Sequence, residues 1–106
     1  MTITELNQAL SSIGLPLAYR SFKTAPNLPY LVYLFSSSND VIADNQNYQE
    51  VSNFQLELYN NKKDPATEKL VEDKLKELKL PYTKTEVFVE SEGLFQVLYL
   101  FQMIGG

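Results

Sequence analysis

Residues 54–65 constrain the fold more than any other segment, because they join a strand with one wet face to a helix with a defined start. Apolar and more polar residues alternate from Phe54 to Tyr59, which is the period-two pattern of a strand that buries one side. Asp64 then offers an N-cap oxygen, and Pro65 takes the first helical position, where a missing N–H costs no hydrogen bond. We therefore expect a strand, a short turn and a capped helix in direct succession.

Comparable patterns predict the remaining elements. Thr2 and Glu5 have the spacing of a capping box, and apolar residues then recur on one helical face up to Gly14, where a helix can end. Residues 15–29 contain three prolines and are expected to form an irregular connector, with a brief extended piece near Ala18 to Phe22. Further strands are expected at about 30–35, 48–59, 82–90 and 94–103, the last two joined by a tight turn.

These elements predict one α+β domain that spans residues 1–106. In it, two helices cover one face of a mainly antiparallel four-stranded sheet, in the order αββαββ. Residues 36–47 are mostly polar and are expected to form a flexible loop with a small apolar tip. The second helix, at about 65–78, is expected to turn an apolar stripe toward the sheet. That stripe consists of Ala66, Leu70, Val71, Leu75 and Leu78.

The last predicted strand is apolar on both sides. One row of alternate residues consists of Phe95, Val97, Tyr99, Phe101 and Met103, and the opposite row contains Leu94, Leu98 and Leu100. Helices on one side of the sheet would leave the second row in water, and contiguous apolar patches of this kind mark interaction surfaces. The predicted protein interface therefore combines this row with the long loop, and its members are Asp40, Val41, Ile42, Asp44, Tyr48, Leu94, Leu98 and Leu100. Thr2 and Asp64 are interpreted as structural caps.

The composition removes most catalytic templates. Cysteine and histidine are both absent, so the chain lacks thiolate nucleophiles, the common zinc ligands and the side chain that titrates near neutrality. We expect no enzyme activity, no cofactor and no metal site. A formal net charge of −4, from 13 acidic and 9 basic residues, argues against affinity for nucleic-acid phosphates. No apolar run approaches the roughly 20 residues of a membrane span, so no membrane partner is expected.

Two weaker patterns have a plainer structural explanation. Glu90 and Glu92 could act as paired carboxylates in acid–base chemistry or as metal ligands, but acidic residues at a hairpin turn are more often simply solvated. Lys62 and Lys63 precede a helix start, where anions can bind, yet no glycine-rich loop accompanies them. The solvent-exposed interpretation is favoured for both pairs.

A set of segments after residue 27 carries a family resemblance. The segments are Leu28-Pro29-Tyr30-Leu31-Val32-Tyr33, Ala43-Asp44-Asn45, Leu56-Glu57-Leu58-Tyr59, Lys62-Lys63-Asp64 with the helix through Glu68, Val89-Glu90-Ser91-Glu92 and Val97-Leu98-Tyr99. In this combination the chain resembles the tail completion or tail terminator group of siphophages. These small neck proteins are encoded between the head and major tail genes of long-tailed phages and prophages of Gram-positive bacteria. The α+β module of that family matches the element order predicted above.

The resemblance implies a structural role in a virion. Subunits of the family form a ring, commonly of six, that caps the tail tube, stops its polymerisation and offers a docking surface to the head connector. DNA passes through the ring without specific binding. The implied partners are the major tail tube protein, the head connector or neck protein and further copies of the chain, which can be a monomer when isolated. The implied location is the tail or neck of the virion, after assembly in the host cytoplasm.

Two other functions stay open on the sequence alone. One is a head-side adaptor of the same connector. The other is a cytosolic peptide- or ligand-binding α+β module that uses a sheet edge or the long loop for recognition. Neighbouring genes separate these functions, because a portal gene upstream and a tube protein gene downstream favour the neck.

Overall fold

The computed structural model describes residues 1–38, 41–42 and 48–104. Within these ranges the helices are α1 (Ile3–Ser11) and α2 (Pro65–Glu77). The strands are β1 (Leu17–Tyr19), β2 (Tyr30–Ser38), β3 (Val41–Ile42), β4 (Tyr48–Gln49), β5 (Val51–Asn60), β6 (Tyr82–Val89) and β7 (Leu94–Ile104). The turn between β6 and β7 contains a 3₁₀ segment, Glu90–Glu92, and Gly93 then adopts a φ of +62°, which glycine takes without strain.

The main sheet has five strands in the order β1-β2-β5-β7-β6. β1 pairs with β2 in parallel, and the other pairings are antiparallel. The prediction of a four-stranded, mainly antiparallel sheet is therefore wrong, since the sheet has five strands and one parallel pair. The element order is similar to the predicted αββαββ, with further short strands. β1 has only three residues, which is too short to show a period-two pattern, and it lies in the proline-rich connector. Its place is fixed by backbone hydrogen bonds from Leu31 N–H to Pro16 O and from Arg20 N–H to Tyr33 O, both 2.8 Å.

Both helices pack on one face of this sheet. The core contains Leu6 and Leu10 of α1 and Val71 and Leu75 of α2, all fully buried. The sheet contributes alternate residues of β2, β5 and β7, namely Leu31, Tyr33, Phe54, Leu56, Leu58, Val97, Tyr99, Phe101 and Met103. The strand positions between these core residues point the other way, and we call that side of the sheet the open face.

The apolar stripe of α2 differs from its prediction. Leu70 is 52% exposed and Ala66 is exposed, whereas Glu68 is only 3% exposed. With 3.6 residues per turn, Glu68 lies one turn before Val71 and Leu75 on the buried side, while Leu70 lies well around the helix from them. The sequence pattern assigned Leu70 to the core because it is apolar, although its helical position directs it to solvent.

The loop predicted at 36–47 is partly strand. β2 runs through Ser38, and β3 pairs with β4 through Val41 with Gln49 and Ile42 with Tyr48. Residues 39–40 and 43–47, where the rest of the predicted flexible loop falls, lie outside the described residues. Hydroxyl and amide side chains support the ribbon that β2 forms with β5, since Ser36 Oγ donates to Asn53 O and Asn53 Nδ2 donates to Ser37 Oγ, both at 3.0 Å. Ser36 to Ser38 are polar and exposed, so they have the composition of a loop although they continue β2.

Both helices begin with a side-chain cap. Thr2 Oγ1 accepts from Glu5 N–H at 3.2 Å, and Glu5 Oε1 accepts from Thr2 N–H at 2.8 Å, which is a full capping box. Asp64 accepts from the backbone N–H and the hydroxyl of Thr67 at 3.3 and 2.7 Å. These bonds lower the pKa of Asp64, the hydroxyl bond first and the backbone bond second. Thr2 and Asp64 thus occupy the N-cap positions that their sequence patterns indicate.

Candidate functional site

The open face combines a polar central strand with apolar residues on both sides. Register places Glu57 of β5 between Val32 of β2 and Leu98 of β7. The adjacent open-face residue, Gln55, lies between Leu34 and Leu100 in the same way. Glu57 and Gln55 are therefore each flanked by two aliphatic residues, and this arrangement forms an apolar surface with a carboxylate near its centre.

Neutral donors hold the carboxylate of Glu57. Tyr59 Oη donates to Oε1 at 2.9 Å, and Gln55 Nε2 donates to Oε2 at 2.5 Å. Gln96 Nε2 in turn donates to Tyr59 Oη at 2.9 Å. Burial, and then the hydrogen bond to Glu57, raise the pKa of Tyr59 to about 12, so this phenol remains a donor at neutral pH.

The charge of Glu57 is not balanced by a cation from the described part of the chain. Among the residues that the structure describes, no ion pair involves Glu57. Hydrogen bonds from a phenol and an amide orient a carboxylate without neutralising it, and a carboxylate can accept more bonds than these two. The open face therefore presents a fixed negative charge within an apolar surface.

One end of the open face is covered by the chain itself. Phe22 of the connector packs edge-on against Tyr30, with ring centroids 5.3 Å apart, and Tyr30 stacks on Tyr59 at 5.1 Å. Toward the β7 end the apolar residues reach solvent, since Leu100 is 40% exposed and Leu98 is partly exposed. The accessible surface is thus centred on Leu98, Leu100 and Glu57.

The residues of the predicted interface have different positions. Leu98 and Leu100 lie on the open face, and Leu94, partly exposed, lies on the same side of β7 beside Val89 of β6. Val41, Ile42 and Tyr48 belong to the small β3–β4 hairpin, of which only the backbone is described, and Asp40 and Asp44 lie outside the described residues. The structure therefore places Leu98 and Leu100 together and does not bring the hairpin residues to them through any described contact.

Sequence reasoning did not single out Glu57, Val32 and Leu34. In the sequence, Glu57 is one polar position in an alternating strand, and Val32 and Leu34 are part of an apolar run. The available signal was the charge itself, because Glu57 is the charged residue in an open-face row that otherwise reads Asn53, Gln55 and Tyr59. Its neighbours follow from strand order, which the sequence does not show.

The helix-covered side carries a second charged cluster, in which each of three carboxylates is paired with a lysine of the same chain. Lys84 Nζ lies 2.7 Å from both Glu68 Oε1 and Glu72 Oε2. Lys63 contacts Glu68 at 2.9 Å and also pairs with Glu86. Burial alone would raise the pKa of Glu68, but hydrogen bonds from Lys84 and Lys63 outweigh it and hold that pKa below its ordinary value. This cluster ties α2 to β6 and is a structural feature.

The same cluster reaches the centre of the sheet through Tyr99. Its Oη donates to Glu72 Oε2 at 2.8 Å, and its ring packs edge-on against Tyr82 at 5.4 Å. Burial and the bond to Glu72 raise the pKa of Tyr99. Each polar atom of this cluster that the core encloses thus has a partner.

The weaker sequence candidates do not assemble into a site. Glu90 and Glu92 are exposed in the 3₁₀ turn, and in the described part of the chain no group of three or more carboxylates is placed to hold a metal ion. Lys63 is paired with Glu68 and Glu86, and Lys62 is exposed. Over the described ranges, no helix is both long enough and apolar enough to cross a membrane.

Comparison with known proteins yields a structural match. No model of a known protein family matches the chain. A comparison with curated proteins gives no match either. Among solved structures, the chain is similar to a chain in the virion of a native gene transfer agent particle, with a TM-score of 0.57 and 13% sequence identity. The similarity covers 89% of this chain and 81% of that chain, and at this identity it shows a shared fold.

Proposed function

We propose that this chain is a structural protein of a virion, located in the neck, where it caps the tail tube and joins the tail to the head. The observation that carries the proposal is the fold similarity to a virion chain over 89% of the length. The finer assignment to tail completion comes from the sequence resemblance described above. The proposal includes no catalytic step and no cofactor.

Two surfaces suit such a role. The open face offers apolar area around Glu57, and the ribbon formed by β2 and β5 extends the molecule, whose extents are 52 × 27 × 26 Å. An elongated subunit with an apolar sheet face can contact a neighbouring subunit and a second protein at the same time. On this proposal the partners are further copies of the chain in a ring, commonly six, together with the tail tube protein and the head connector.

The passage of DNA sets a second requirement. A ring around the DNA path has to let phosphates pass without holding them, and a net charge of −4 disfavours phosphate contacts. Among the described residues, four lysines are paired with acidic side chains, namely Lys63, Lys69, Lys74 and Lys84. Virion assembly without nucleic-acid binding is consistent with both facts.

Deletion of the gene from the phage or prophage that encodes it tests the proposal. We expect DNA-filled heads that are separate from tails, or tails of uncontrolled length, in electron micrographs of the lysate, with normal particles restored by the gene in trans. Mass spectrometry of purified particles should detect the chain in the wild type. Normal infectious particles from a clean deletion would contradict the capping role, and absence of the chain from wild-type particles would contradict the virion role.

A peptide-binding function is the second candidate, because β6 leaves one sheet edge open. β6 forms the edge of the five-stranded sheet, and its residues 83–88 are exposed. Such an edge can accept an added strand from a peptide. The same deletion separates the two functions, since loss of a cytosolic binding module leaves particle morphology unchanged.

A further inference from the structure

We propose that the open face of one copy binds a basic groove at the junction of α2 and β6 of a second copy, with Glu57 pairing with Lys79. The contact is head to tail, because it joins two different surfaces of the same chain. The inference deepens the proposed function, on which its ring context rests, by naming the surfaces through which copies associate.

The first surface of the proposed contact is the part of the open face around the Glu57 carboxylate. Glu57 is held by Tyr59 and Gln55 and has no cationic partner among the described residues. Leu98, partly exposed, and Val32, which is only 5% exposed, flank it on the neighbouring strands. A partner that brings a cation with apolar surroundings would cover Leu98 and Leu100 and also pair the charge. An apolar partner alone would bury an unpaired carboxylate at a high cost.

The second surface is a groove of about 500 Å³ where α2 ends and β6 begins. It is lined by Lys76, Lys79, Leu80, Pro81 and Tyr82. Neither lysine forms an ion pair within the described ranges, in contrast to Lys74, which pairs with Glu77 at 2.5 Å. The groove therefore has the complementary composition, because the exposed Lys79 lies beside apolar residues, whereas Lys76 is close enough to Glu72 to help lower the pKa of that carboxyl.

Glu57 and the groove lie on opposite sides of the sheet, although Pro81 and Tyr82 of the groove also line a pocket with Leu100. Leu80 belongs to the core cluster and Tyr82 packs against it, so the groove lies on the helix-covered side. Glu57 lies on the opposite side of the sheet, beside Leu98. Their charge complementarity is consequently available only between molecules, and repetition of a contact between two different surfaces generates a ring when the rotation closes.

Charge exchange in the purified full-length protein provides the first test. We expect Glu57→Lys to weaken self-association about thirtyfold or more, since it places two like charges in the contact. Lys79→Glu should have a comparable effect, and the double variant should recover most of the wild-type affinity. Glu90→Lys and Lys62→Glu are matched controls, because both residues are exposed and lie outside the two surfaces. Equal losses in the controls, or no recovery in the double variant, would overturn the pairing.

Disulfide trapping tests the geometry even when association is weak. The chain has no cysteine, so Leu100→Cys combined with Lys76→Cys introduces the only thiols. On oxidation, a head-to-tail contact should give a ladder of disulfide-linked oligomers from the double variant. Each single variant should give no cross-linked product. Dimers from Leu100→Cys alone would indicate a symmetric contact, and absence of cross-links from the double variant, both in solution and in particles, would show that the surfaces do not meet. Either result would contradict the inference.

Thermal unfolding and the protein content of purified particles distinguish a failure of this inference from a failure of the proposed function. Glu57→Gln keeps the size of the side chain and removes its charge, so a variant that unfolds normally but associates weakly isolates the charge effect. If Glu57→Lys still enters particles and supports normal necks, the proposed function stands and the contact is wrong. If the wild-type chain is absent from particles but the charge exchange behaves as expected, the contact stands and the virion role is wrong.

Discussion

The two faces of the main sheet differ in how their carboxylates are paired. On the helix-covered side, the nearly buried Glu68 is paired with Lys63 and Lys84 from its own chain. On the open face, Glu57 is held by Tyr59 and Gln55 and has no cationic partner among the described residues, although aliphatic residues flank it. A buried carboxylate is costly without a cation beside it, so a molecule that covered Glu57 would have to supply the cation that Glu68 already has.

Truncation of a leucine on each face is the strongest test of this difference. Leu75→Ala removes a fully buried side chain beneath α2 and should reduce the free energy of unfolding by ~2–5 kcal/mol. Leu98→Lys should cost less than ~1 kcal/mol, because the new lysine lies directly across from Glu57 and can pair with it. Thermal or denaturant unfolding of both variants measures the two values.

The same pair of variants should behave oppositely in assembly. Leu98→Lys neutralises Glu57 and inserts a polar group into the open face, so it should abolish self-association or particle complementation while the domain stays folded. If Leu98→Lys unfolds the isolated domain as badly as Leu75→Ala does, the open face is part of the core and the comparison fails.

Replacement of one carboxylate on each face should give a smaller difference in the free energy of unfolding. Glu68→Gln should lower the free energy of unfolding at neutral pH by roughly 1–3 kcal/mol, toward the lower end because the Lys63 and Lys84 side chains are 44% and 33% exposed and are screened by solvent. Glu57→Gln should change it by less than about 0.5 kcal/mol, since no ion pair is lost. Equal losses of unfolding free energy for the two variants, measured in urea, would show that the two carboxylates contribute equally to stability.

The pH dependence of stability should come from the covered side. The folded-state pKa values of Glu68 and Glu72 lie below the ordinary value of 4.5, so their stabilising effect is complete above that pH and is lost as the pH falls through the lowered pKa. The wild type should therefore lose stability steeply in acid, and Glu68→Gln should show a shallower slope. Measurement of the unfolding free energy from pH 7 to pH 2 tests this, and an unchanged slope in the variant would contradict it.

Removal of one hydroxyl on each face gives the smallest expected difference. Tyr99→Phe leaves Glu72 without the bond that its fully buried partner donates, and should cost about 1 kcal/mol. Tyr59→Phe removes a bond from the partly exposed Glu57, which water can replace, and should cost about 0.5 kcal/mol or less. A larger loss for Tyr59→Phe would indicate that the open-face network has a structural role.

The sequence was informative where a pattern was local. The caps at Thr2 and Asp64 and the alternation in β5 depend on residues three or fewer positions apart, and these spacings are directly visible. The extended piece expected near Ala18 to Phe22 overlaps β1, but its parallel pairing with β2 is a long-range feature that the sequence does not show. The pairing of the nearly buried Glu68 with Lys84, 16 residues away on another element, is likewise not visible in the sequence.

Only part of the candidate site can be predicted from the sequence, for the same reason. The apolar row Leu94, Leu98 and Leu100 follows from the alternation of one strand. The position of Glu57 between Val32 and Leu98 requires the strand order β2-β5-β7, which joins segments far apart in sequence. Charge balance is a property of three-dimensional neighbours, and a linear pattern does not contain it.

The interior position of β7 has a consequence for the order of folding. β7 is the last strand along the described chain, yet it lies between β5 and β6 and is the strand partner of both. Until residues 94–104 have been synthesised, β6 has no strand to pair with, and α2 has no complete sheet to cover. The pairing of Val51 with Ile104 also joins residues more than 50 positions apart, and non-local pairings of this kind slow folding. The nascent chain therefore completes its fold only after synthesis of β7, and a cut within this strand would remove the middle of the sheet.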